Sequence, residues 1–214
     1  MTQLGAPHPV DSPLIHVAIF DVELAIGAEF AAWYHAEHVP RILASPGWKR
    51  MCHYRCTDGA PFLSLYELEA DARLPPQLSE APFRSGPYAA RGIRNYSART
   101  WRQISSRGSS RWAAPWINAI TVDVEPDFAD GFSAWYDDVH VPEILACPGW
   151  LAARRFKCVE GEPRFLAMYD LGDPDTPFSN DDWDSAVGWD EHVEHIRGYY
   201  GFRVYELVYD SETG

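Results

Sequence analysis

Apolar positions change period in the same order twice along the chain. Residues 15–22 and 117–124 are β-rich runs bounded by proline and acidic residues, so each is read as a strand. A helical period follows each. Phe30, Trp33, Tyr34, Val39, Ile42 and Leu43 keep near-helical spacing within residues 29–44, and Phe132, Trp135, Tyr136, Val141, Ile144 and Leu145 repeat it. Pro40 and Pro142 each remove a backbone donor inside these helices, which predicts a kink or break close to His38 and His140. Ser45-Pro46-Gly47 and Cys147-Pro148-Gly149 read as stops. Second strands are expected at residues 48–56 and 150–158, and third strands at 61–68 and 164–171, with Asp58-Gly59 and Glu160-Gly161 as the hairpin turns between them. Second helices are expected within 82–96 and at 182–197, and last strands at 97–104 and 202–209.

The repetition is literal. Residues 33–48 read WYHAEHVPRILASPGW and residues 135–150 read WYDDVHVPEILACPGW, agreeing at 11 of 16 positions. The offset of 102 extends back to Phe20-Asp21-Val22-Glu23 against Val122-Asp123-Val124-Glu125, and forward to Cys56 against Cys158. A one-residue shift then aligns Phe62-Leu63-Ser64-Leu65-Tyr66 with Phe165-Leu166-Ala167-Met168-Tyr169. The chain is thus a tandem duplication of a unit large enough to bury its own core, with repeats at 1–107 and 112–214 and residues 105–111 as a polar linker.

The order of elements in each repeat is β-α-β-β-α-β, the ferredoxin-like arrangement, in which helices cover one face of an antiparallel sheet. The other face needs a partner, and the tethered neighbouring repeat supplies one at high effective concentration. The fold class expected is therefore α+β: two ferredoxin-like repeats whose antiparallel sheets pack as a pseudo-dimeric α+β barrel. On Trp33, Tyr34, His38 and Pro40, and again on Trp135, Tyr136, His140 and Pro142, the sequence resembles the dimeric α+β barrel superfamily. Within it, the aromatic pair followed by His-x-Pro resembles the EthD-like proteins. Most such proteins pair two chains, whereas this one resembles a fused pair. The resemblance implies a ligand cavity between sheet and helices, faced by the motif histidine. EthD-like proteins span catabolic accessories and polyketide dehydratases.

Charge narrows the partners. A net charge of −13 over 214 residues argues against nucleic acid, whose binding depends on Lys and Arg releasing counterions. The N-terminal stretch has neither a basic start nor an apolar run, and no segment is long enough to span a bilayer, so a cytoplasmic protein with no membrane partner is expected. Cys52, Cys56, Cys147 and Cys158 are read as buried thiols rather than disulfides. Exposed outer strands would leave a further homodimer open.

The candidate catalytic residues are His38 and His140. A neutral imidazole near pH 7 can take a proton from an acidic carbon or a hydroxyl and return it without a cofactor. The competing structural role is packing at a helix joint, which duplication would preserve equally. His16 and Asn118, at matching strand positions, are candidates to hydrogen-bond a substrate oxygen or else to face solvent. Trp33, Tyr34, Trp135 and Tyr136 are candidate walls for a planar ligand or core residues, whereas Trp48 and Trp150 are read as core. Two spacings, His35-x-x-His38 and His192-x-x-His195, would place imidazole pairs on one helical turn, but Asp137 replaces His35 in the second copy. No metal and no cofactor are therefore assigned. The resemblance to α+β barrels, some of which hold haem through a histidine on the late helix, leaves haem on His195 open. Glu67, Glu69, Asp170 and the Asp181-Asp182 pair are read as solvated surface.

The reading that follows is a cofactor-independent enzyme acting on a small, largely apolar carbonyl or hydroxyl compound, aromatic or polyketide-like. Proton transfer by His38 or His140 would drive a lyase, dehydratase, cyclase or isomerase reaction. Two alternatives stand beside it: a non-catalytic binding or accessory protein for a hydrophobic metabolite, and a cofactor-free or haem-assisted oxygenase.

Overall fold

Eight antiparallel strands close into one barrel in the order β1-β3-β2-β8-β5-β7-β6-β4. They are β1 (Leu14–Val22), β2 (Trp48–Cys56), β3 (Pro61–Leu68), β4 (Ile93–Gly108), β5 (Trp116–Val124), β6 (Trp150–Cys158), β7 (Phe165–Leu171) and β8 (Ile196–Asp210). The structure is a computed structural model describing residues 13–59, 61–74, 88, 92–178 and 194–213, the side chains of 199 and 200 excepted. The expected pseudo-dimeric α+β barrel is present within one chain. Each repeat contributes a four-stranded sheet, β4-β1-β3-β2 or β8-β5-β7-β6.

The last strand of each repeat joins the halves. β4 pairs with β1 of its own repeat and with β6 of the other, and β8 pairs with β5 and with β2. Both run further than their apolar pattern indicated, because a polar residue at a strand end still completes a backbone ladder. Ser105 to Gly108, expected as linker, is strand paired from Ser105↔Arg155 to Gly108↔Ala152. The chain that continues from it crosses one end of the barrel. There Ala114 is buried in the lumenal cluster with Trp112 and Ala113 packed on it, and the Tyr54 hydroxyl donates to Trp112 O at 3.4 Å. Ile93 to Tyr96 and Ile196 to Arg197 belong to strands rather than to the second helices expected over them. Most of the remainder of both expected helices, with His192, Asp181 and Asp182, lies outside the described residues.

Strand alternation divides the core in two. One side chain set of β1 (Leu14, Ala18, Phe20, Val22) packs under the first helix and the other (Ile15, Val17) fills the lumen, and the second repeat does the same with Ile120, Val122 and Val124 against Ile117 and Ala119. Burying a large apolar side chain such as Phe20, Phe30 or Phe132 contributes roughly 1.5–3 kcal/mol each.

The outer helices are α1 (Gly27–Trp33) and α2 (Val39–Leu43) in the first repeat, and α3 (Ala129–Trp135) and α4 (Val141–Ala146) in the second. Neither pair is broken at the proline. The expected irregularity takes the form of one π turn in each, Tyr34–His38 and Tyr136–His140, in which the Val39 and Val141 amides bond the carbonyls of Tyr34 and Tyr136. Proline offers no N–H to the carbonyl four residues back, so lengthening the loop by one residue lets the helix pass it. The stops behave as expected: Gly47 and Gly149 take φ of 82° and 87°. A β-carbon on Gly47 would lie 2.8 Å from Ala72 Cβ.

Candidate active site

The π turn rotates an aromatic and an imidazole toward the sheet together. In the first repeat Tyr34 and His38 are buried and stack at 4.8 Å with 21° between the rings. The Tyr34 hydroxyl is 2.9 Å from Ser64 Oγ and 3.0 Å from the Tyr66 hydroxyl, both from β3. His53 of β2 lies 4.9 Å from the Tyr34 ring, fully buried, with its Nδ1 2.7 Å from Nε2 of the half-buried His35. The His53 Nε2 has no hydrogen-bond partner among the described residues. His16 enters from β1, 5.5 Å from Trp48 and 6.4 Å from Tyr66, and its Nδ1 is 3.0 Å from Thr100 Oγ1. Trp33 stands 5.6 Å from His38 and 5.1 Å from Tyr88.

The second repeat keeps the motif and changes its surroundings. Tyr136 and Tyr169 share a hydroxyl hydrogen bond at 3.0 Å, matching Tyr34 and Tyr66. His140 stacks on Trp135 at 4.9 Å and meets the edge of Tyr136 at 4.5 Å. Where the first repeat has His35 and His53, the second has Asp137 and Arg155, an ion pair of 2.7 Å. The guanidinium also donates to Ser133 O at 2.9 Å and lies 4.3 Å over the Tyr136 ring. Ser105, reaching in from β4, donates to Asp137. At the ladder position equivalent to Ser105, β8 brings Tyr209, which stacks on His35 at 4.0 Å.

Burial sets the protonation states. Desolvation pushes His16 down to about 4. His38 falls to about 4 through desolvation, helped by Arg41, and His140 to about 4 through desolvation, helped by Arg155. His53 is driven well below the ordinary imidazole range by burial first and His35 second. All are neutral at pH 7. Burial raises Tyr34 to about 12 against its bonds to Ser64 and Tyr66, so its hydroxyl keeps its proton. A neutral imidazole beside a protonated phenol offers a base and an oxyanion donor in one place.

The candidates His16, Trp33, Tyr34, His38, Asn118, Trp135, Tyr136 and His140 therefore lie in the helix–sheet layer. His16 and Asn118 are 2% and 0% exposed, which removes their solvent-facing alternative. Asn118 Nδ2 donates to Arg203 O at 3.1 Å, and its Oδ1 has no partner among the described residues. Trp48 and Trp150 are buried as core residues, packing edge-on against Tyr66 and Tyr169. Sequence reasoning missed His53, Arg155, Tyr66, Tyr169 and Ser64. The available signal was the pairing of differences at one offset, since His35/Asp137 and His53/Arg155 both lie 102 apart. It also misplaced Asp170, which is 4% exposed and bonded to Arg154 at 2.9 Å. His195 lies in a 3-10 turn that leads directly into β8, stacks on Phe128, and has Nδ1 3.5 Å from Glu125. All four cysteines are free thiols, three of them buried. Among the described residues no group of three or more His, Cys, Asp or Glu is placed to hold a metal ion, and no helix is long and apolar enough to cross a membrane.

No protein-family model and no curated protein matches the sequence. Solved structures match over nearly the whole chain at low identity. An anthrone oxidase-like protein has a TM-score of 0.64 at 14% identity, covering 94% of this chain and 93% of its own. A putative monooxygenase from Fusobacterium nucleatum has a TM-score of 0.62 at 10% identity, covering 94% of each chain. Chlorite dismutase from Candidatus Nitrospira defluvii has a TM-score of 0.62 at 9% identity, covering 94% and 93%. The fold shared with them is the dimeric α+β barrel.

Proposed function

We propose that the first repeat holds an acid–base site for a small, largely apolar carbonyl or hydroxyl compound, with His38 as the base and Tyr34 as the donor to the developing oxyanion. The observation that carries this reading is the buried chain of Ser64, Tyr34 and Tyr66 hydroxyls with neutral His16, His38 and His53 around it. Desolvation is what lowers His38, so an oxyanion forming beside it would favour the imidazolium and raise its basicity when a proton must be taken. Tyr66 and Ser64 hold the Tyr34 hydroxyl in place, so little reorganisation is needed as charge moves to the substrate oxygen. His140 and Tyr136 repeat the pair, but the Arg155 guanidinium beside them opposes a second positive charge on His140. Arg41 does the same to His38, but its side chain is 67% exposed and screened by solvent whereas that of Arg155 is 2% exposed, which makes the second repeat the poorer base and the better anion holder. The EthD-like His-x-Pro motif supports the same assignment.

Proton abstraction from carbon leads to elimination or isomerisation, the lyase-type outcome, or to attack of the carbanion on dioxygen. The second outcome enters because an anthrone oxidase-like protein and a putative monooxygenase share the fold. Anthrone, a carbon acid activated by a carbonyl, tests the common step. Deuterium exchange at its acidic carbon in D2O should be accelerated by the protein and lost in the His38→Ala, His140→Ala double variant. Thermal stability should remain within about 1–2 kcal/mol. Undiminished exchange in that variant sinks the base assignment. An oxygen electrode separates the two fates. Ligand binding with no exchange at all would favour the accessory-protein reading.

A further inference from the structure

A cavity of about 830 Å³ opens not beside the histidines but in the barrel lumen, at the end where β1 and β5 finish. The opposite end is crossed by the connection bearing Trp112, held by Arg50 4.6 Å from its ring and by the Arg111 amide on Asp170 at 2.7 Å. Fusion of the repeats thus closes one mouth of the barrel. The open one is built from ladder-equivalent residues: Arg99 opposite Val17 and Arg203 opposite Ala119, and one step deeper Trp101 opposite Ile15 and Tyr205 opposite Ile117. Arg197 joins them from the start of β8. Leu166, Val17 and Ile19 complete apolar walls.

The charges around this mouth are not matched to one another. Arg99 donates to the Glu162 and Ala98 carbonyls, and among the described residues none of Arg99, Arg197 and Arg203 has a carboxylate within ion-pair distance. Asp21 is occupied by Asn95 at 2.6 Å. Asp123, its counterpart in the second repeat, is 5% exposed and its Oδ1 has no hydrogen-bond partner among the described residues. Guanidinium groups without carboxylates accept a carboxylate in a forked hydrogen bond, and an unsatisfied buried acceptor favours a ligand that brings a donor. The volume lies within the range of pockets that enclose small organic ligands.

We propose that this lumenal cavity is a second binding site, separate from the helix–sheet layer, for a planar organic acid that also carries a hydroxyl group. Arg99 and Arg203 hold the carboxylate, Trp101 and Leu166 cover the ring, and Asp123 accepts from the hydroxyl. Calorimetric titration of the full chain with 6-hydroxy-2-naphthoate tests it. Saturable one-to-one binding is expected, weakened about tenfold or more by Arg203→Gln and by Arg99→Gln, the effect of losing a charge-assisted hydrogen bond. 2-Naphthoate should bind more weakly than the hydroxylated probe to the native chain, and equally with it to Asp123→Ala. That variant removes a buried unpaired acceptor, so its melting temperature should not fall, which separates lost binding from lost fold. His38→Ala should bind as the native chain does. Absence of saturable binding, the same affinity in both arginine variants, or loss of binding in His38→Ala instead would each overturn the proposal.

Discussion

The two repeats solve one packing problem with opposite electrostatics. At the joint where the helix meets the second strand and the other repeat's last strand, the first half places His35, His53 and Tyr209, and the second places Asp137, Arg155 and Ser105. Three positions from three elements have changed together. A buried charge needs a counter-charge and further hydrogen bonds, so Arg155 cannot stand without Asp137, whereas neutral rings need only each other. The motif residues Tyr34 and His38, or Tyr136 and His140, are the same in both halves. The difference lies in what borders the shared motif: a pair of neutral imidazoles in one half and a buried ion pair in the other.

Acid should break the comparison most widely. His16 and His38 in the first half have folded values of about 4, against 6.5 for an unperturbed imidazole, and burial also holds His53 well below the ordinary imidazole range. The unfolded chain binds these protons first, so stability is full above pH 6.5 and falls as pH drops from 6.5 toward 4. The drop from 6.5 to about 4 makes His16 and His38 each cost on the order of 3 kcal/mol of stability across that window. The second half has His140 with a like depression, so hydrogen exchange at pH 5 should rise first in β1, β2 and α1. Equal exchange in the two halves would contradict the difference drawn here.

Asp137→Ala comes next. It leaves Arg155, whose side chain is 2% exposed, without its carboxylate and should cost about 3 kcal/mol in urea unfolding, near the lower bound for breaking a buried pair. His35→Ala, at the matching position, should cost only about 1–2 kcal/mol, the loss of one hydrogen bond and some packing. A reversed order would show that the ion pair is screened in solution. The hydroxyl pairs give the smallest effect. Tyr169→Phe removes the Tyr136 partner where Ala167 stands in place of Ser64, and should cost about 1–2 kcal/mol. Tyr66→Phe leaves Tyr34 its bond to Ser64 and should cost less than about 1 kcal/mol.

The strands were legible because strand periodicity is local and the duplication read it twice. β2, β3 and β6 have the boundaries expected from the pattern, and β1, β5 and β7 differ by one residue. The π turns were half legible: proline announces an irregularity, but whether a helix breaks or lengthens by one residue depends on the sheet beneath it. β4 was legible only to Ile104, because the segment beyond it carries no apolar pattern and is strand only through its pairing with β6. In the site, the motif histidines and aromatics were visible as repeated letters. His53 and Arg155 were not, because a polar residue inside an apolar strand says nothing about which face it occupies until register is known.

By itself, then, the sequence determined the repeat, the order of the eight strands and of the first helix in each repeat, and the His-x-Pro joints, all of which follow from side-chain periodicity and backbone chemistry within a few residues. Tertiary structure alone decided that the sheets close through β4 with β6 and β8 with β2, that one mouth of the barrel is covered and the other open, and which side chains meet His38 and His140. Those outcomes depend on residues about a hundred positions apart being brought within a few ångströms. Hydrogen-bond pairing, desolvation and charge are fixed only at that distance.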